Sequence, residues 1–185
     1  SRRGSWVRIP PPAPKQDHYE LEQNYTDSEI QITGVWLCSS MKLPQQAIEA
    51  ILFKTLDKEI QYLLLKRTPE TGGFWQPITG GLEEGETRIQ ALKREMGEET
   101  GIKNVIRIIR DVHSFEFFDP HLIKEYAFGV QIPVNEEVVL DKKEHSEYRW
   151  CNFHEALRLR RWKENKEALS KLHEALISQT KSQRK

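Results

Sequence analysis

The chain has 185 residues, 37% of them apolar, which suits one domain with a real core. Its 28 Lys and Arg balance 28 Asp and Glu, so no overall basic field argues for nucleic acid as a partner. Cys38 and Cys151 supply neither a disulfide framework nor a zinc set, and no run suggests a membrane span or secretory signal. A cytoplasmic protein that binds no membrane is expected.

Ser1–Lys15 (SRRGSWVRIPPPAPK) is Pro-rich and basic, and Asp17–Ile32 is polar without periodicity. Neither buries enough surface to fold alone, so residues 1–40 are expected to lie outside the domain. Val7-Arg8-Ile9-Pro10 is also the translation of GTT-CGA-ATC-CC, a string that resembles the T-loop arm of a transfer-RNA gene. Two origins stay open for this segment: an ordinary disordered arm, or a reading frame that starts upstream, with the working protein beginning at Met41.

Ala47–Lys54 (AIEAILFK) and Ile60–Arg67 (IQYLLLKR) read as strands joined by the turn Thr55–Lys58, hence a hairpin. Thr68–Gly73 is a loop, and Phe74–Thr79 (FWQPIT) is a short strand or an extended entry to a helix. Val105–Asp111, His113–Phe118 and Leu122–Ile132 are three further strand candidates, with a turn at Asp119-Pro120. Tyr148–Asn152 closes the set of strands. Phe153–Leu159 and Glu164–Ile177 are helices, the second with Leu169, Leu172 and Leu176 as its apolar stripe. The expected fold class is α+β, with a domain over 41–178 and a disordered tail at 179–185.

Between the loop and the later strands lies Gly80–Ile102, GGLEEGETRIQALKREMGEETGI. Thr87 can cap a helix, with Gln90 completing a capping box. Ile89, Leu92 and Met96 form its buried stripe, and Gly101 can end it in the left-handed conformation. Glu95, Glu98 and Glu99 project together from another face, and three carboxylates on adjacent turns repel unless something positive lies among them. Arg94, one turn before Glu98, can orient it. Hard oxygen donors without Cys or His nearby select Mg2+ or Mn2+ over zinc. A solvated acidic face is the ordinary explanation of a Glu-rich run. Here, however, nine specified positions, G-x5-E-x7-R-E-U-x-E-E-x-G-U with U apolar, are all filled. By average residue usage that occurs by chance roughly once in a billion start points.

This pattern resembles the Nudix box without a departure. Phe74-Trp75-Gln76-Pro77-Ile78-Thr79-Gly80 is similar to a segment of bacterial dihydroneopterin triphosphate or dATP pyrophosphohydrolases. Glu144-His145 with Tyr148-Arg149-Trp150, and Trp162, Asn165 and Ala168, are similar to further motifs of that family. The resemblance implies a mixed β-sheet sandwiched between helices. It also implies Mg2+-dependent hydrolysis, with Mn2+ a possible substitute, of a nucleotide or pterin triphosphate to the monophosphate and pyrophosphate. Glu95, Glu98 and Glu99 carry over as metal ligands with the carbonyl of Gly80, or that of Gly81, while Arg94 orients the carboxylates. Glu86 is placed to hold the catalytic helix or a metal-bound water.

The general base is one of the box glutamates or Glu144, whose bland alternative is a solvated charge. Lys66 and Arg67 are candidates for substrate phosphate and Trp75 for the nucleoside, against an exposed basic strand end and a core tryptophan. Phe117, Phe118 and Tyr126 either stack on a base or simply pack. Trp150 and Trp162 are expected as core anchors, and His145 as a hydrogen-bonding neighbour of the site. Other enzymatic readings are a diadenosine polyphosphate hydrolase or an oxidised-nucleotide sanitiser. A nucleotide-binding regulatory module would be expected to have lost box glutamates. The chain is expected to be a monomer or homodimer.

Overall fold

The structure is a computed structural model that describes residues 44–182, with side chains through Gln179. The expectations for residues 1–40, and the start at Met41, lie outside the described residues. The first two strands, β1 (Gln45–Leu56) and β2 (Glu59–Arg67), form the expected hairpin, longer than the sequence suggests. Leu56 pairs directly with Glu59, so the turn shrinks to Asp57 and Lys58, both with positive φ (50° and 69°). That backbone matches the twist of the flanking strands.

Alternation along β1 sends Ile48, Ala50 and Leu52 into one core and Ile51 and Phe53 into the other. A strand apolar on both sides belongs in the middle of a sheet, and β1 has strand partners along both of its edges. The stretch 74–79, expected as one short strand or an extended entry, is in fact two strands, β3 (Trp75–Gln76) and β4 (Ile78–Gly81). Pro77 between them has no N–H to give a ladder, and β3 pairs with β2 while β4 pairs with β1.

The opposite correction applies to 105–118: one strand, β5 (Arg107–Phe118), runs through it. Its pairing with β6 (Leu122–Gln131) jumps from Ile109↔Gly129 to His113↔Ala127, a bulge in which Asp111 takes φ 54°. β6 then runs parallel to β1, and the last strand, β7 (His145–Cys151), pairs with β2. The sheet order is β3-β2-β1-β6-β5, with β4 added on β1 and β7 on β2.

Three helices cover the sheet: α1 (Arg88–Thr100), α2 (Phe153–Leu159) and α3 (Lys163–Ser182). Helix α3 therefore continues into the stretch expected as tail. Leu92 and Met96 of α1 pack on Ile48, Ala50, Leu65 and Ile78, whereas Leu169, Leu172 and Leu176 of α3 pack on Ile51, Phe53, Tyr62 and Ala127. A mixed sheet between helices is the fold class the sequence implied.

The α3 side also buries charge. Arg160, in the α2–α3 link, donates through Nη1 to Glu49 (2.6 Å) and to the Asn165 carbonyl (2.9 Å). The amide of Asn165 reaches Glu49 (2.9 Å) and Glu125 (3.1 Å).

Candidate active site

The stretch after β4 turns tightly into α1. The Glu83 N–H donates to the Glu86 carboxylate (2.9 Å), and Thr87 caps the helix in a complete capping box with Gln90. Gly101 ends the helix at φ 69° and returns its N–H to Gly97. This strand–turn–helix unit lays the face of α1 that carries Glu95 directly on β4.

Arg94 organises the cluster, with all five of its N–H donors engaged. Its Nε and Nη2 fork onto the two Glu86 oxygens (both 2.9 Å), and Nη2 also reaches the Gly81 carbonyl (2.9 Å). Nη1 donates to Glu95 (2.7 Å) and to Glu98 (3.3 Å). The expected contact to Glu98 is thus present, but it is the longest of the five. The fork holds the Glu86 carboxyl below its usual range.

Glu95 lies against the backbone of Gly80, where a Cβ would overlap its carboxylate. Any side chain at position 80 would push the glutamate away, so the strand end and the helix require glycine there. Burial pushes the Glu95 carboxyl up to about 7, against the opposing pull of Arg94. Glu99 is more deeply enclosed, and burial drives its carboxyl well above the usual range, with Glu144 adding to the effect. The Thr79 N–H and the Arg67 charge oppose the rise. Glu98 stays open to solvent, its side chain 41% exposed.

A second layer comes from the β2–β7 edge. Arg67 is buried and donates to Glu144 (3.0 Å), while its Nε and Nη2 meet no hydrogen-bond partner among the described residues. His145 is fully buried and its Nε2 lies 2.6 Å from the Glu99 carboxylate. Burial and the Arg67 charge push this imidazole down to about 4. The preceding loop is tied to the end of α1 by Val139 N–H to the Thr100 carbonyl (2.8 Å) and Asp141 N–H to the Glu99 carbonyl (3.1 Å).

Glu86, Arg94, Glu95, Glu98, Glu99, Gly80, Glu144 and Arg67 therefore share one region. Lys66 and Trp75 are elsewhere. Strand alternation turns both to the α3 side, where Trp75 packs with that core and Lys66 pairs with Glu147 (3.3 Å). Tyr126 lies beneath the Arg88 guanidinium, 3.4 Å from its ring centroid, while Phe117 stacks in a row with Phe115 and Phe118 is exposed. Trp150 packs on the α1 core and Trp162 edge-on to Phe74. The contact of His145 with a box glutamate is the strongest feature that sequence reasoning left vague; the only signal for it was the Glu-His pair.

Among the described residues no three carboxylate, imidazole or thiol groups already converge as a metal-binding set. The donors nonetheless fit a hard divalent cation by chemistry. They are crowded carboxylates, two of them pushed up by burial, beside a backbone that glycine keeps open. Their present partners are Arg94 and His145.

No helix among the described residues is long and apolar enough to cross a membrane. The NUDIX domain family profile matches residues 44–172. The chain is 37% identical over 117 residues to an octanoyltransferase of Myxococcus xanthus, a match that takes in 62% of this chain but only 32% of that protein. It is 30% identical over 135 residues to the dihydroneopterin triphosphate diphosphatase of Escherichia coli, covering 65% of this chain and 88% of that one. A solved Ap4A hydrolase of C. elegans, in a binary complex, superposes with a TM-score of 0.64 at 22% identity, over 72% of this chain and 98% of the other. The profile match covers the strand–turn–helix unit and both layers of the cluster, and the chain belongs to the Nudix domain family.

Proposed function

We propose that this Nudix hydrolase cleaves a nucleoside-triphosphate-like substrate, an NTP, a dNTP or dihydroneopterin triphosphate, to the monophosphate and pyrophosphate, with Mg2+ as cofactor and Mn2+ a substitute. The observation that carries the reading is the gathering of Glu95, Glu98 and Glu86 around Arg94, with Glu95 laid against Gly80 and Glu99 close enough to Glu95 to perturb it. The 30% identity to the Escherichia coli diphosphatase, over most of that protein, supports the pterin or nucleotide triphosphate class. The domain is proposed to run from Met41, in keeping with a family match that begins at residue 44.

Glu95, Glu98 and Glu99, with the Gly80 carbonyl, would hold the metal. A divalent ion held there would supply charge to offset the phosphate oxygens and would acidify the attacking water. The protein's own residues do the rest. Arg94 keeps the carboxylates from repelling one another and ties them to Glu86. Arg67, held beside Glu144, has Nε and Nη2 without a hydrogen-bond partner among the described residues, and we assign these nitrogens to phosphate oxygens. Glu144, fixed at 3.0 Å from Arg67 and partly open to solvent, is the base we assign for the attacking water. Lys66 and Trp75, on the other face of the sheet, have no part in this arrangement.

The test is a substrate panel with Mg2+ and product identification: nucleoside triphosphates, dihydroneopterin triphosphate, diadenosine tetraphosphate and an oxidised nucleotide. Release of pyrophosphate and a monophosphate is expected. Glu98→Gln is expected to lower kcat by about 100-fold or more without unfolding the chain, because the Glu98 side chain is exposed. If no panel member is cleaved, or Glu98→Gln leaves the rate unchanged, the reading does not stand.

A further inference from the structure

Glu99 is held from three directions. Its backbone carbonyl takes the Asp141 N–H (3.1 Å), its carboxylate takes the Thr79 N–H, and its Oε2 meets His145 Nε2 at 2.6 Å. His145 in turn is anchored through its own N–H to the Asp141 carbonyl (2.9 Å) and through β7 to Arg67 of β2. Neither side chain can turn, since the imidazole is fully buried and Glu99 is 4% exposed. Among the described residues, the imidazole Nε2 shares a hydrogen bond with Oε2.

We propose that His145 is a positioning residue for the metal site: its Nε2–H commits Oε2 of Glu99 to the protein and so fixes the rotamer in which the carboxylate meets the cation. This rests on the metal role assigned to Glu99 above. The ring acts through Glu99 alone and touches neither metal nor substrate. Because His145 directly follows Glu144, the same contact fixes the loop that carries the assigned base relative to the helix that carries the ligands. A ligand with one pre-committed oxygen arrives in a fixed direction and loses less freedom on binding, the usual effect of an outer-shell partner.

The geometry makes a demand specific to one nitrogen. The Nε2 of a glutamine falls near imidazole Nε2, whereas the Nδ2 of an asparagine falls near imidazole Nδ1, short of Glu99. The experiment therefore compares wild type, His145→Gln, His145→Asn and Glu99→Gln, the last alone and combined with His145→Asn, by Mn2+ binding to substrate-free protein using electron paramagnetic resonance. Melting in EDTA accompanies each measurement. Expected is a 10- to 100-fold loss of Mn2+ affinity in His145→Asn, recovery to within a few-fold of wild type in His145→Gln, and no further loss when His145→Asn is added to Glu99→Gln.

The Gln and Asn variants have similar polarity, so a purely structural role would not order them this way. Equal Mn2+ affinity in the two variants overturns the proposal, as does a full additional loss in the double variant. If wild type binds Mn2+ and hydrolyses substrate while His145→Asn matches it, only the positioning role falls. A wild type that binds no Mn2+ overturns the positioning role and the hydrolytic reading together.

Discussion

Glu95 and His145 sit in the same enclosure and are perturbed in opposite directions, and their opposition has a measurable signature in the metal-free protein. The Glu95 carboxyl stands at about 7 in the fold against 4.5 for the free group. The folded chain thus holds that proton more tightly, and the contribution to stability is present below 4.5 and lost as pH rises through about 7. His145, at about 4 against 6.5, contributes stability that is present above 6.5 and lost as pH falls towards 4. Above pH 6.5 the imidazole contribution is constant and the carboxylate contribution remains, so stability is expected to fall from there to about pH 8. Thermal melting in EDTA should show that fall in wild type and a flatter profile in Glu95→Gln; parallel profiles would refute the assignment of the shift to Glu95. The three glutamates, Arg94 and Gly80 were legible in the sequence because the box specifies side chains on one helix and one strand end. The partnership of Glu99 with His145 was not, because it joins residues 46 positions apart through a β2–β7 pairing that no local pattern encodes.

At the scale of elements, β1 decides the layout. Its odd and even positions feed separate cores, and Glu49, between Ile48 and Ala50, faces the α3 side with Arg160. A lone Glu in an apolar strand reads as a solvent-facing position, so the buried Glu49–Arg160–Asn165–Glu125 network had no sequence signal. Removing one member leaves its partners charged and enclosed. Arg160→Ala is expected to cost about 3–5 kcal/mol in urea denaturation. Lys163→Ala, which breaks a surface pair at 3.7 Å to Glu167, should cost well under 1 kcal/mol. Similar small costs for both would show the network to be energetically idle. The hairpin was readable from its composition, since turn residues interrupt two apolar runs. The division at Pro77 and the fusion of two strands into β5 were misread for related reasons. A proline missing from one ladder still allows pairing with another strand, and a bulge interrupts periodicity without interrupting the strand.

For the molecule as a whole, metal and fold are linked. A cation that binds the folded site and not the unfolded chain stabilises by about 2.7 kcal/mol at a hundred times its dissociation constant. For a domain of this size that corresponds to a rise in Tm of roughly 5–10 °C. Mg2+ is expected to raise Tm in wild type by that order and by much less in Glu98→Gln, as read by differential scanning fluorimetry; an equal rise in both would remove Glu98 from the ligand set. Helix-strand alternation and the box made the fold class readable at this scale, and the layer assignment followed once β6 was seen to run parallel to β1.

Arg94, with every N–H committed, makes the cluster a guarded place rather than a vacant one. A guanidinium cannot shed its charge at physiological pH and, being tethered, cannot diffuse away. A divalent ion held by Glu95 and Glu98, the role proposed for them, would enter by exchange with this resident rival, and its occupancy would follow a displacement equilibrium. Such a contest would cap affinity and shorten residence. With no ion bound, the same guanidinium offsets part of the charge that Glu86, Glu95 and Glu98 gather there.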